Sequence, residues 1–245
     1  MKKLIVLLLL TVSLFAASND RIKILTENYP PYNMKHKGKV KGLAVDVLKA
    51  MLQQMNYKVN KKEFLLTNWA QAYLLTKKKK NHMVFSTTRT QAREPLFKWV
   101  GPIADTTIAV IAPKNRNIKI KKISDLNKYR IGAVYKDVGQ LLLLENNIDN
   151  MQIKAVGGKN PLKKLFKNMD KNEIDMLAYE VNVAKYVAKA QGYHPSDYEN
   201  IFTLKRGQLY FAFNKKTDDK IIRRWQKALD AIKKNGTYDK ILKKY

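Results

Sequence analysis

The stretch RIGAVYKDVGQLLLLE, residues 130–145, decides the fold. Residues 130–134 read as a short strand, a polar turn follows, and residues 139–145 read as a helix. The segment therefore reads as strand, turn, helix. The same alternation continues downstream, with strands over 151–156 and 174–178 and helices over 161–169 and 182–190. Pro161 suits the first turn of its helix, where its missing N–H costs nothing. Strands that alternate with helices form a mainly parallel sheet covered on both faces, so the chain is read as α/β.

Upstream, a first set has the same character. Residues 22–26 alternate as a strand and run into the turn Tyr29-Pro30-Pro31-Tyr32. Gly38 and Gly42 bracket a basic hairpin-like segment. Leu43, Val47, Leu48, Met51 and Leu52 then share one helical face up to the break before Tyr57. A strand is expected over 59–65, a helix over 69–75 running into lysines 77–80, and a strand over 83–85. Cations at a helix C-terminus suit its dipole. Residues 99–102 read as a turn and 106–112 as a strand closed by Pro113, while 114–122 read as a connector without core. After the second set come a strand over 210–214, a helix over 218–235 stopped by Gly236, and a terminal helix over 238–242. Two α/β sets that part near 112–114, followed by helices that need a surface to cover, predict two lobes. A cleft is expected between them, at the carboxyl ends of the strands.

Composition bounds the rest. Residues 1–17, MKKLIVLLLLTVSLFAA, have the layout of a cleaved export signal: two lysines, an apolar run too short for a stable span, then small residues. The remaining chain is long enough for two modest lobes, and no later apolar run has spanning length. Cysteine is absent, so packed cores rather than disulfides carry stability. The formal charge of +28 comes mostly from lysines scattered along the chain, which reads as a solvated surface rather than one groove. No aromatic-basic RNA-binding motif accompanies it, so no nucleic-acid partner is expected. His36, His82 and His194 stand at no metal-ligand spacing, and GGKNP at 157–161 lacks the order of a phosphate loop. No serine sits in a nucleophile elbow. No metal or cofactor is expected.

The chemistry concentrates in VFSTTRTQAR, residues 84–93, where a short apolar run meets four hydroxyls and two guanidiniums. Ser86, Thr88, Thr90 and Arg93 are donors suited to a carboxylate, and a guanidinium presents a planar fork that lysine cannot reproduce. Arg93 has a competing local reading, paired with Glu94 or Asp105, and Thr90 one as a cap of the turn through Arg93. Glu180, at a strand-to-helix junction, is the complementary charge for an ammonium, or else an acid satisfied by the amides of its own helix. Tyr32 and Trp69 are candidate aromatic walls, or else core residues.

Taken in order, YPPYN at 29–33, KGLAVDVLKAML at 41–52, STTRTQAR at 86–93, FKWVGPI at 97–103, YRIGAVYKDVGQ at 129–140, NEIDMLAYE at 172–180 and NGTYDKILKKY at 235–245 resemble the family 3 extracellular solute-binding proteins. These serve ABC importers of polar amino acids. The resemblance implies a bilobal periplasmic-binding-protein type II fold, two α/β lobes joined by two crossover segments. Residues 20–111 with 207–245 would make lobe 1, and 112–206 lobe 2. It also implies a periplasmic monomer that captures a small polar or carboxylate-bearing solute by hinge closure and meets an inner-membrane ABC permease. Arg93 matches the family's ligand-carboxylate arginine, with Ser86, Thr88 and Thr90 matching the pattern before it. Two departures stand out. Glu180 replaces a common aspartate, and Lys136-Asp137-Val138 replace a Gly-Thr/Ser-rich turn. Two other classes fit the same architecture: a sensory binder without transport, and a dehydratase in which Glu180 acts as general acid or base.

Overall fold

In the computed structural model, residues 21–60 and 63–245 are described; the expected export signal at 1–17 lies outside them. The first half holds the buried strands β1 (Lys23–Thr26) and β5 (His82–Thr88), the half-buried β4 (Phe64–Leu66), and a basic, largely exposed hairpin of β2 (Met34–His36) and β3 (Lys39–Lys41). Ile24 and Leu25 of β1 are fully buried, and β1 lies parallel between β4 and β5. Lys37 and Gly38 take positive φ at the hairpin tip, the geometry a two-residue hairpin turn needs. Helix α1 (Leu43–Gln54) buries Leu43, Val47, Leu48 and Met51 on one stripe. It starts after Gly42, whose φ is 131° and where an added Cβ would lie 2.4 Å from the Tyr32 carbonyl oxygen; only glycine fits. Helix α2 (Trp69–Lys78) is capped by Asn68, whose side chain accepts from the Gln71 amide at 3.0 Å.

Two strands of 17 residues each, β6 (Phe97–Pro113) and β10 (Tyr198–Asn214), run antiparallel along their whole length. Residues 209–213 of β10 also pair with β5, and residues 108–111 of β6 pair with β9 (Met176–Glu180). Beyond β9 lie the parallel β7 (Ile131–Val134) and β8 (Ile153–Val156), giving one eight-stranded sheet in the order β4-β1-β5-β10-β6-β9-β7-β8. Helices α3 (Val138–Glu145), α4 (Pro161–Asp170) and α5 (Val181–Ala190) cover the second half. The terminal α6 (Asp219–Lys234) and α7 (Thr237–Leu242) return to pack on α1, with Trp225 of α6 buried against Phe213 at 5.2 Å between ring centroids. This is the bilobal α/β arrangement with two crossing strands.

Three expectations are corrected. The turn expected at 99–102 is interior to β6; only the ladder shifts there, where residues 101–103 lie opposite Tyr210 and Pro102 has no amide to donate. The strands expected at 106–112 and 210–214 are the C-terminal parts of β6 and β10, which extend further back and pair with each other from one half of the sheet to the other. The connector at 114–122 does contribute to the core, because Ile118 is buried beside Leu126 and Ile131.

Candidate functional site

The carboxyl ends of the parallel strands converge on one seam. Glu27 follows β1, Ser86 to Thr88 end β5, Tyr135 to Asp137 follow β7, and Glu180 ends β9. Along the seam lies a cavity of about 660 Å³, with Glu27, Asn68 and Trp69 on one wall and Tyr135, Tyr179 and Tyr186 on the other. That size suits a small organic molecule.

Arg93 is buried behind this wall, 2% exposed. Its amide is held by the Thr90 hydroxyl at 3.3 Å, and its Nη1 donates to the Thr88 carbonyl at 3.2 Å. The guanidinium carbon lies 5.0 Å from the Trp69 ring centroid and 5.4 Å from that of Tyr73, and the two rings lie 5.4 Å apart, so the cation rests against both members of one aromatic pair. Trp69 lines the cavity and spans the seam, donating from Nε1 to the Lys136 carbonyl at 2.7 Å.

Two carboxylates face Arg93 electrostatically, and neither forms an ion pair with it within 4 Å among the described residues. Asp137, at the N-cap of α3, is 4% exposed and its Oδ2 has no hydrogen-bond partner. Burial raises its pKa, and the Arg93 charge works against the rise. Glu27 touches the solvent of the cavity, yet protein surrounds its carboxyl closely enough to hold its pKa well above the ordinary range. Burial is the main cause, Asp137 adds to it and Arg93 opposes it.

Glu180 forms a separate group with Tyr32. Its Oε2 accepts from the Val183 amide at 2.7 Å, capping α5, while Oε1 receives the Tyr32 hydroxyl at 3.4 Å and the Thr107 amide at 3.5 Å. Asn182 donates to both Tyr32 and Glu180. Burial raises the Glu180 pKa and the amide bonds lower it. The Ser86 hydroxyl donates to Asn33. The structure thus brings Arg93, Thr88, Thr90 and Trp69 together and gathers Glu180 with Tyr32, while Ser86 turns to Asn33. Arg89 points elsewhere, paired with Glu94 at 2.6 Å and half exposed.

The model of the bacterial extracellular solute-binding proteins, family 3, matches residues 22–245. The chain belongs to this family. A probable histidine-binding protein of Neisseria gonorrhoeae is 25% identical over 236 residues, covering 92% of this chain and 82% of that protein. A second probable histidine-binding protein, from Campylobacter jejuni subsp. jejuni, is 26% identical over 245 residues, covering 94% and 88%. Among solved structures, the substrate-binding protein of an ABC uptake transporter from Streptococcus pneumoniae with bound histidine superposes with a TM-score of 0.77 at 18% identity, covering 93% of each chain. The last likeness concerns the fold alone.

In this family 3 solute-binding protein, three residues at the seam escape a reading confined to the hydroxyl cluster: Glu27 and Tyr179, which line the cavity, and Asp137, which is buried and does not. All three belong to strand ends of the sheet, and Glu27 stands directly after the apolar run of β1. The rule that α/β sheets bind ligands beyond the carboxyl ends of their strands is the signal that finds them. No described helix is long and apolar enough to cross a membrane, and the described residues hold no cluster of three metal-ligating side chains.

Proposed function

We propose that the protein captures a small polar amino acid between its lobes in the periplasm and delivers it, as the substrate-binding component of an ABC importer, to an inner-membrane permease. The observation that carries this reading is the seam itself: a cavity walled by both halves of the sheet, with a buried guanidinium stacked on the indole that lines it. The histidine named for two relatives and found in one structural neighbour points to the same class of ligand.

Residues 20–111 with 207–245 act as one rigid lobe and 112–206 as the other. The two long strands that cross between them allow hinge bending, and contacts available only when the lobes meet select the closed form. Ligand docks first through its carboxylate on Arg93, with Ser86, Thr88 and Thr90 shaping the turn, and Trp69 and Tyr32 wall the site. Glu180 and the loops of the second lobe then close over it, and expelling water strengthens each polar contact.

The test is a thermal-shift screen of the full mature chain against amino acids, dicarboxylates and small peptides, followed by calorimetry on the hits. At least one amino acid is expected to raise the melting temperature. Arg93→Ala is expected to cost about 2–5 kcal/mol of binding. Arg93→Lys, which keeps the charge and loses the fork, should recover part of that loss. An affinity loss below about tenfold in Arg93→Ala would remove Arg93 from the site, and stabilisation by no amino acid would overturn the reading.

A further inference from the structure

We infer that the cavity between the two halves also binds short acidic peptides; this rests on the reading above that the cavity is where solute is captured. Its shape is the first reason. Val183, Tyr186, Val187 and Ala190 all line it, and they stand at positions i, i+3, i+4 and i+7 of α5, a single face of the helix. At about 1.5 Å per residue that face runs for about 10 Å, so the cavity is a trough along the helix rather than a point pocket. An extended chain advances about 3.3–3.6 Å per residue, so the trough takes about three residues. Its volume of about 660 Å³ agrees, since it falls among sites that enclose drug-sized molecules.

The polar lining is the second reason, because it is made mostly of donors. Lys35 lines the trough from the first half and Lys159 and Lys163 line it from the second. None of these lysines is paired with an acid within 4 Å among the described residues. Glu27 is the one carboxyl among the described lining residues, and burial holds its pKa well above the ordinary range, so it offsets the lysines less than a free glutamate would. Asn28 and Asn68 also line the trough, and their side-chain oxygens accept from the amides of Lys35 and Gln71 at 3.1 and 3.0 Å. That leaves their Nδ2 donors without a protein acceptor among the described residues. A peptide with acidic side chains is the complement: its carbonyls accept from the carboxamides, and its carboxylates meet the lysines of both halves.

The stretch Gly157-Gly158-Lys159-Asn160-Pro161 thereby acquires a role, although it lacks the order of a phosphate loop. Gly158 and Asn160, with φ of 83° and 53°, bend the chain on either side of Lys159 and lead into α4, whose first turn carries Lys163 and no acid. A cation in the first turn opposes the helix dipole, so Lys163 stands where it weakens its own helix and where a bound anion would relieve it. The three lysines are exposed, so water and salt screen them, and the preference that they impose is salt-sensitive.

Calorimetry on the full mature chain with glutamyl-alanyl-glutamate, glutaminyl-alanyl-glutamine and free glutamate tests the inference, with melting curves as a folding control for each variant. In low salt the acidic peptide is expected to bind at least about tenfold more tightly than the neutral one or glutamate, and to lose most of that margin at about 1 M salt. Lys35→Gln, Lys159→Gln and Lys163→Gln combined are expected to weaken the acidic peptide at least about tenfold and the neutral one less than about threefold. A matched control, Lys227→Gln, Lys234→Gln and Lys240→Gln on α6 and α7, removes the same charge from residues that do not line the trough. It is expected to change either peptide less than about threefold. A neutral peptide or glutamate that binds as tightly as the acidic peptide overturns the inference, and so does equal weakening by the two triple variants. If an amino acid binds and neither peptide does, this inference fails alone. If the acidic peptide binds and no amino acid does, the amino-acid reading fails alone; if nothing binds, both fail.

Discussion

Glu27 shows how a single residue at the cavity wall can cost stability. Its carboxyl sits among protein atoms beside Asp137, and both effects hold its pKa well above the ordinary range. A carboxyl with a raised folded-state pKa stabilises the fold most when protonated, below the unfolded value of about 4.3. That contribution is lost as pH rises from there through the folded value. Glu27→Gln is therefore expected to stabilise the ligand-free protein at pH 7.5 by on the order of 1 kcal/mol and to leave pH 4 little changed. Urea denaturation at the two pH values checks it; equal effects at both would mean that Glu27 ionises normally. The residue scale is also where the sequence is least explicit. The hydroxyls around Arg93 announce themselves by clustering, whereas Glu27 and Asp137 are single acids whose meaning depends on strands that meet only in three dimensions. The Glu180 alternatives show the same limit. Nothing in the order of residues separates a ligand acid from a helix cap, and the bond to Val183 is made whichever role it has.

At the scale of elements, legibility follows how local the cause is. Helix α1 is written in its stripe, α6 in its period and its stop at Gly236, and the hairpin in its glycines. The long β6 and β10 are not, because residues 205–208 are polar or glycine and Gly101-Pro102 break a strand pattern, and both stretches are held in the ladder by the long antiparallel pairing of the two strands. Helix α2 matters most to the site, since its first residue is Trp69. Asn68 fixes that end by accepting the Gln71 amide. Asn68→Ala is expected to destabilise the protein by about 1 kcal/mol, and Asn68→Gly by only a few tenths. If both substitutions cost the same in chemical denaturation, the cap does not hold the helix end, and Trp69 is positioned by its packing alone.

For the whole molecule, the question is what holds the lobes together when no solute is present. The chain's own contacts cross the seam: the Trp69 indole to the Lys136 carbonyl, the Tyr32 hydroxyl to Glu180, and the edge-on packing of Tyr29 against Tyr179 at 5.8 Å. In the hinge closure proposed above, these contacts would give the closed arrangement a stability of its own, to which a ligand adds. A hydrogen bond of this kind is worth about 0.5–1.5 kcal/mol net. Trp69→Phe keeps the ring against Arg93 and removes only the N–H, so it is expected to shift the ligand-free balance toward the open form by about two- to twelvefold. Small-angle scattering should then give a larger radius of gyration for the ligand-free variant than for wild type. The difference should close when saturating ligand is added, because the ligand's own contacts replace the missing bond. Identical ligand-free scattering would mean that the indole bond forms only after the lobes have been brought together by other means. The remaining candidate would then be the Tyr32 and Glu180 pair, testable in the same way with Tyr32→Phe.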